Sequence, residues 1–191
     1  MKIGLTGNIA AGKSTVAKML EKRGAYILDA DTIAHNLYQS NPKLIAQITT
    51  EFGDKVLDTD GKVHRKKLGK LVFSHKSKLE TLNKIVHPII HKEILTQVDI
   101  KLAHHHTVVL EAALLFENNF LDYWDKVFLV TASDELRKQR LLAKGLSNQE
   151  ALERISSQMP QEQKMGTADV VIENNDSYDT LWNQILNLNI V

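Results

Sequence analysis

Gly7, Gly12, Lys13 and Ser14 are spaced as G-x-x-x-x-G-K-S, and each position has a mechanical task if the chain is to wrap around a triphosphate. Glycines at these two places permit backbone conformations and close approaches that a β-carbon would block. The amides of Ala10, Ala11, Gly12, Lys13, Ser14 and Thr15 can then turn inward as a nest of donors at the positive end of a helix. Lys13 supplies a point charge for the β- and γ-phosphates, and the Ser14 hydroxyl is a ligand suited to Mg2+. The chemistry read from this stretch is the binding of a nucleoside triphosphate.

Carboxylates stand where a transferred phosphoryl group would need them. Asp29-Ala30-Asp31 closes a short apolar run, in the region beyond strand carboxyl ends where ligands gather in open α/β sheets. Asp31 can accept the proton of an acceptor hydroxyl and hold its oxygen in line with the γ-phosphorus. Because such transfers are mostly loose, an aspartate of ordinary acidity suffices, and orientation matters more than basicity. The competing reading is a helix N-cap ahead of Thr32-Ile33-Ala34-His35. Glu111 ends a later apolar run, where it either organises the metal's water shell or simply pairs with a lysine or Thr15. Glu117 is a weaker candidate of the same kind.

Cations are the third ingredient. Arg140 and Arg154, with Lys144 and Lys164 nearby, can neutralise charge spreading over the transferred group if a covering segment carries them in. At about 4 Å and an effective dielectric near 20, each close pair is worth roughly 4 kcal/mol before desolvation. An ordinary solvated helix pair has the same composition. Arg65 and His87 read, by residue type alone, as surface or core residues. His104-His105-His106 cannot converge on one ion from adjacent helical positions and reads as a solvated connection before a strand.

These groups need a rigid frame, and the apolar pattern supplies one. Five β-rich runs, 3–6, 26–28, 108–112, 127–130 and 170–172, alternate with helical stretches and are too apolar to face water on either side. The pattern predicts an α/β fold with a five-stranded parallel sheet covered by helices. The glycine-rich run follows the first strand and precedes a helix with Val16, Met19 and Leu20 on one face, ending near Gly24. The long interval 32–105 has helical periodicity at Leu79, Leu82, Val86, Ile89 and Ile90, and is expected to be a helical insertion forming the acceptor wall. Within it Asp58-Thr59-Asp60-Gly61 reads as a turn, and Pro88 as the start of a helix. The expected division of this single domain is a core of 1–31, 106–136 and 165–191, with the insertion and a helical lid at 137–164.

Composition narrows the class. At 191 residues, with 24 Lys plus Arg against 23 Asp plus Glu, the chain has no global field directed at nucleic acid or an anionic membrane. It contains no cysteine, which excludes disulfides and thiolate chemistry. No leader or long apolar span is recognisable, so a cytoplasmic protein is expected.

With these motifs in view, the chain resembles the dephospho-coenzyme A kinases over nearly its whole length. Beyond the loop and the D-x-D at Asp29 and Asp31, the resemblance rests on Arg65 with the leucines after it, His87-Pro88, Leu114-Leu115-Phe116-Glu117 and Gln139-Arg140-Leu141. It extends through Gly145-Leu146-Ser147, Arg154-Ile155, Gln158-Met159-Pro160 and Ala168-Asp169-Val170-Val171-Ile172 to Asn174. The resemblance implies a P-loop NTPase core in three layers, and ATP-dependent phosphorylation, with Mg2+, of the ribose 3′-hydroxyl of dephospho-CoA. It assigns the catalytic base to Asp31 and the acceptor side to Arg65 and His87. Arg140 and Arg154 fall near ATP, and Asn174 beside the adenine. Ala113, Asp176 and the short turn at Lys144-Gly145 depart from the family pattern. Alternatives on the same core are another small-molecule or nucleoside monophosphate kinase, or a nucleotide-dependent switch. For the switch, the guanine-reading N/T-K-x-D is missing, since Asn83-Lys84 lacks the following aspartate.

Overall fold

A computed structural model describes residues 1–190. Five strands, β1 (Lys2–Gly7), β2 (Tyr26–Asp29), β3 (Val108–Glu111), β4 (Lys126–Thr131) and β5 (Val170–Glu173), form one sheet in the order β2-β3-β1-β4-β5. Every pairing is parallel. The five apolar runs of the sequence are these strands.

The strand register places the chemistry. Leu5 pairs with Glu111, and Glu111 with Asp29, so the glycine-rich run leaves the sheet beside two carboxylates at one carboxyl edge. The first connection leads from β1 past β3 to β2, while β4 lies on the other side of β1. The loop after β1 therefore opens at the switch point of the sheet, where such folds bind ligands.

Alternation decides the two faces. Ile3 and Leu5 join Val109, Phe128, Val130 and Ile172 in a core completed by Val16, Met19 and Leu20 of helix α1 (Lys13–Lys22) and by residues near the C-terminus. Gly4 points the other way, and a β-carbon there would crowd Leu115 and Trp124. Helix α1 ends as expected: Gly24 takes φ +92, its N–H bonds to the Glu21 carbonyl, and that of Ala25 to Leu20.

The chain separates into two compact units, one of residues 1–29 with those from 98 onward, the other Ala30–Gln97. The second unit holds α2 (Ala30–Ser40), α3 (Pro42–Phe52), a 3-10 turn Asp54–Val56, α4 (Arg65–Val72) and most of α5 (Lys76–Leu102). Asn41 caps α3 through its side chain to the Leu44 N–H. Asp58 Oδ1 accepts from the N–H groups of Asp60 and Lys62, closing the turn read at 58–61, with Gly61 at φ +75.

Two local expectations are corrected. Pro88 does not begin a helix but lies inside α5, a helix of 27 residues. Leu82, Val86 and Ile94 are buried on both sides of it, and that burial carries the helix through a position that lacks a donor. The stretch 137–164 is not a helix pair. It contains the end of α6 (Asp134–Ala143), then α7 (Asn148–Ser156) and α8 (Gln161–Met165), with α9 (Tyr178–Leu186) following β5. Ser133 caps α6, and Ser147 with Glu150 closes a capping box on α7.

Candidate active site

The loop after β1 has its backbone carbonyls held from outside. Arg140 Nη1 donates to the carbonyls of Ala10 and Ala11 at 3.1 and 3.2 Å, and its Nη2 donates to that of Asn174 at 2.8 Å. Asn174 Nδ2 donates to the Ala11 carbonyl at 2.7 Å. In a trans peptide the C=O and the following N–H point in opposite directions, so the Ala11 carbonyl held by Arg140 and Asn174 leaves the Gly12 N–H facing the other way, while the N–H opposite the Ala10 carbonyl, that of Ala11, is taken by Asn8.

Its conformation explains the residue types. Gly12 precedes α1 with φ +109. At Gly7 a β-carbon would meet the Val130 carbonyl oxygen. Ala10 takes φ +59, uncommon for a residue with a side chain. Two amides of the run are already engaged, Ala11 N–H with Asn8 and Thr15 N–H with Gly12. Lys13 Nζ lies 2.8 Å from the Gly7 carbonyl, bridging the two ends of the loop.

Ser14 donates its hydroxyl to Glu111 Oε1 at 2.7 Å. That pair joins the first turn of α1 to the end of β3 and gives Glu111 a serine partner where a lysine or Thr15 was expected. Two hard oxygen donors at an exposed edge suit Mg2+, which takes few protein ligands and completes its shell with water and phosphate oxygens.

The remaining candidates divide by unit. Asp31 lies in the first turn of α2, which begins at Ala30, so it is a helical residue and not the N-cap. Its side chain is exposed. Arg65, also exposed, opens α4 with its guanidinium over the Tyr38 ring, 5.6 Å from the centroid. Burial pushes the Tyr38 hydroxyl pKa up, and the Arg65 charge pulls it partly back. His87 stacks on His91 one turn later in α5, with ring centroids 5.8 Å apart. Burial lowers the pKa of His87; burial and the neighbouring His87 lower that of His91.

Two of the cations read as possible phosphate partners differ in burial. Lys164 is fully buried, with Nζ 2.6 Å from Glu117 Oε1 and 5.9 Å from the Phe116 ring centre, so this pair serves the interior. Lys144 is an exposed cap of α6. Arg154 is exposed on α7, where its charge helps hold the Glu150 carboxyl below its usual pKa, behind the hydrogen bonds from Ser147. His105 packs on Tyr26 at 4.7 Å between centroids.

Sequence reasoning passed over three residues that touch the loop. Arg137, 2% exposed, donates Nε to the Ile9 carbonyl at 3.0 Å. Gln158 Oε1 accepts from the Ile9 N–H at 2.6 Å, and Asn8 Nδ2 donates to the Met159 carbonyl at 2.9 Å. The available signals were the three-residue spacing of Arg137 and Arg140 on one helix face and the glutamine of Gln158-Met159-Pro160, which carried no assigned task.

Comparison with known proteins agrees with this geometry. A family model described as dephospho-CoA kinase matches residues 1–180. The dephospho-CoA kinase of Shouchella clausii is 40% identical over 187 residues, 97% of this chain and 95% of that protein. Among solved structures, a Thermus thermophilus protein superposes with a TM-score of 0.81 at 35% identity, covering 97% of this chain and 94% of that one. The dephospho-CoA kinase of Campylobacter jejuni gives 0.71 at 31%, with the same coverage. With a glycine-rich loop at the switch point of a parallel sheet and a match along almost the full sequence, the chain belongs to the dephospho-CoA kinase family.

Proposed function

We infer that this protein transfers the γ-phosphoryl group of ATP to the ribose 3′-hydroxyl of dephospho-CoA, giving coenzyme A and ADP, the last step of coenzyme A synthesis. The carrying observation is the cradle: Arg140 and Asn174 turn the carbonyls of residues 10 and 11 outward while Ser14 meets Glu111 at its open edge. It is supported by the family match over residues 1–180.

In this reading the loop amides from Ala10 to Thr15 not used within the turn, together with Lys13, bind the β- and γ-phosphates. Lys13 moves from the Gly7 carbonyl to the γ-phosphate as charge builds there. Ser14 and Glu111 would hold Mg2+, which when bound neutralises charge on the phosphate oxygens. Asp31 accepts the proton of the attacking hydroxyl as the oxygen to γ-phosphorus bond forms and the bond to the β-phosphate oxygen breaks. Arg65 and His87 hold the acceptor, Arg154 supplies positive charge beside ATP, and Asn174 borders the adenine. With no helix long and apolar enough to cross a membrane among the described residues, a cytoplasmic enzyme fits this role.

The deciding experiment offers purified protein ATP and Mg2+ with dephospho-CoA, nucleoside monophosphates, shikimate or gluconate, and identifies the product by mass spectrometry. Phosphate on the 3′-oxygen of dephospho-CoA is expected. Phosphorylation of a nucleoside monophosphate alone would overturn the assignment.

A further inference from the structure

Three of the loop's contacts lie away from its phosphate-facing amides. Ile9 gives its N–H to Gln158 Oε1 at 2.6 Å and receives Arg137 Nε on its carbonyl at 3.0 Å. Asn8 reaches the Met159 carbonyl with its side-chain nitrogen at 2.9 Å. Gln158 and Met159 lie between α7 and α8, so this connection is latched onto the loop over a sequence separation of about 150 residues.

The part that is gripped is the strained part. The Ala11 N–H bonds to the Asn8 carbonyl, closing a four-residue turn in which Ala10 is third, at φ +59. Alanine in that conformation costs about 1 kcal/mol or more, and rotation of the peptide between the second and third residues would relieve it by giving the commoner turn with negative φ. The Ile9 carbonyl belongs to that peptide. Held on Arg137, it keeps the Ala10 N–H turned away from α6, and Gln158 fixes the preceding N–H of the same residue. Strain of this kind persists only where the surroundings over-determine it.

We propose that Gln158 and Arg137 are positioning residues for the phosphoryl donor, clamping the two peptides that flank Ile9, Gln158 the one before it and Arg137 the one after, so that the tip of the phosphate loop keeps the Ala10 amide pointed at ATP. The proposal rests on the nucleotide reading above and deepens it. The clamp shapes the loop and touches no reacting atom, so its loss is to be read as weaker donor binding with turnover kept.

The test is Gln158→Met, which keeps the shape and removes the acceptor, set beside Gln158→Glu, which keeps an acceptor. Loss of one such hydrogen bond is expected to raise the ADP dissociation constant by calorimetry, and KM for ATP, about tenfold. Turnover at saturating ATP and KM for dephospho-CoA should stay within about twofold of the unaltered enzyme. In amide exchange by NMR, the Ile9 proton should exchange faster in Gln158→Met and remain protected in Gln158→Glu. Should Gln158→Met not fold, Gln158→Ala, which also removes the acceptor for the Ile9 N–H, is expected to show the same split. Unchanged ADP affinity, or a fall in turnover with a matching rise in KM for the acceptor, overturns the clamp. Absence of ADP binding by the unaltered protein overturns the nucleotide reading and the clamp together.

Discussion

The side-chain nitrogen of Asn174 occupies the volume that a β-carbon on Gly12 would fill, and the same nitrogen donates to the Ala11 carbonyl at 2.7 Å. Glycine at position 12 is therefore required twice, by its φ of +109 and by the asparagine at the end of β5. Gly12→Ala is expected to destabilise by roughly 2 kcal/mol and Asn174→Ala by roughly 1 kcal/mol. Because the second change removes the obstacle created by the first, the double variant should lose at least about 0.5 kcal/mol less than the sum. Urea unfolding of the four proteins checks this. Strict additivity would mean that the asparagine moves aside without cost.

Lys164 and Glu117 make a different kind of demand. The lysine is fully buried, and its ammonium pairs with the Glu117 carboxylate at 2.6 Å. Glu117→Ala should cost about 3 kcal/mol or more, because it leaves a charge without compensation in the interior. Lys164→Met combined with Glu117→Leu should recover most of that loss, since well-packed apolar groups replace such pairs at little cost. Denaturant midpoints decide it, and a double variant as unstable as Glu117→Ala would show that the pair contributes more than its charges.

The Ser14 and Glu111 pair, 2.7 Å apart, carries the metal prediction. Glu111→Gln keeps the size of the side chain and removes its charge. The Mg2+ concentration for half-maximal turnover should rise by about tenfold or more, since loss of even an outer partner of a metal site costs that much. ADP binding measured without metal should be unaltered. An unchanged Mg2+ requirement would leave Glu111 as a partner of Ser14 and nothing more.

The frame was legible because each of its signals is local. A parallel strand buried on both faces is a continuous apolar run, so all five strands could be read, and G-x-x-x-x-G-K-S marks its own neighbours. Pro88 was misread because proline's effect on a helix depends on what is buried around it, and Leu82, Val86 and Ile94 are tertiary facts. Asp31 was open between cap and base, and only the backbone shows α2 beginning one residue earlier. The supports of the loop were least visible. Arg137, Gln158 and Asn174 lie 128 to 163 residues from the atoms they hold, and nothing in an arginine or a glutamine announces that its partner is a backbone group.

Asp31 follows β2 by two residues and sits exposed in the first turn of α2. In the proposed reaction it receives the acceptor's proton, so it should matter to turnover and not to the nucleotide. Asp31→Asn is expected to lower kcat by about two orders of magnitude or more while ADP affinity stays within about twofold. Steady-state kinetics and calorimetry measure the two separately. A kinetically silent variant would send the search for the base to another carboxylate.

His87 and His91 give a pH dependence whose sign is fixed. Burial lowers both pKa values below the ordinary 6.5, for His91 with the added influence of His87, so the unfolded chain binds protons more readily than the folded one. Stability is then full above 6.5, falls as the pH drops through that value toward the depressed folded values, and levels off below them. Asp58 and Glu150, whose carboxyls are held low by hydrogen bonds, act in a separate and more acidic window, below ordinary carboxyl values. Urea midpoints taken from about pH 7.5 to about pH 5 should decline in the unaltered protein. They should decline much less in His87→Gln combined with His91→Gln. An equal decline in both proteins would assign the acid sensitivity to other groups, and a rise in stability on acidification would contradict the burial of the two rings.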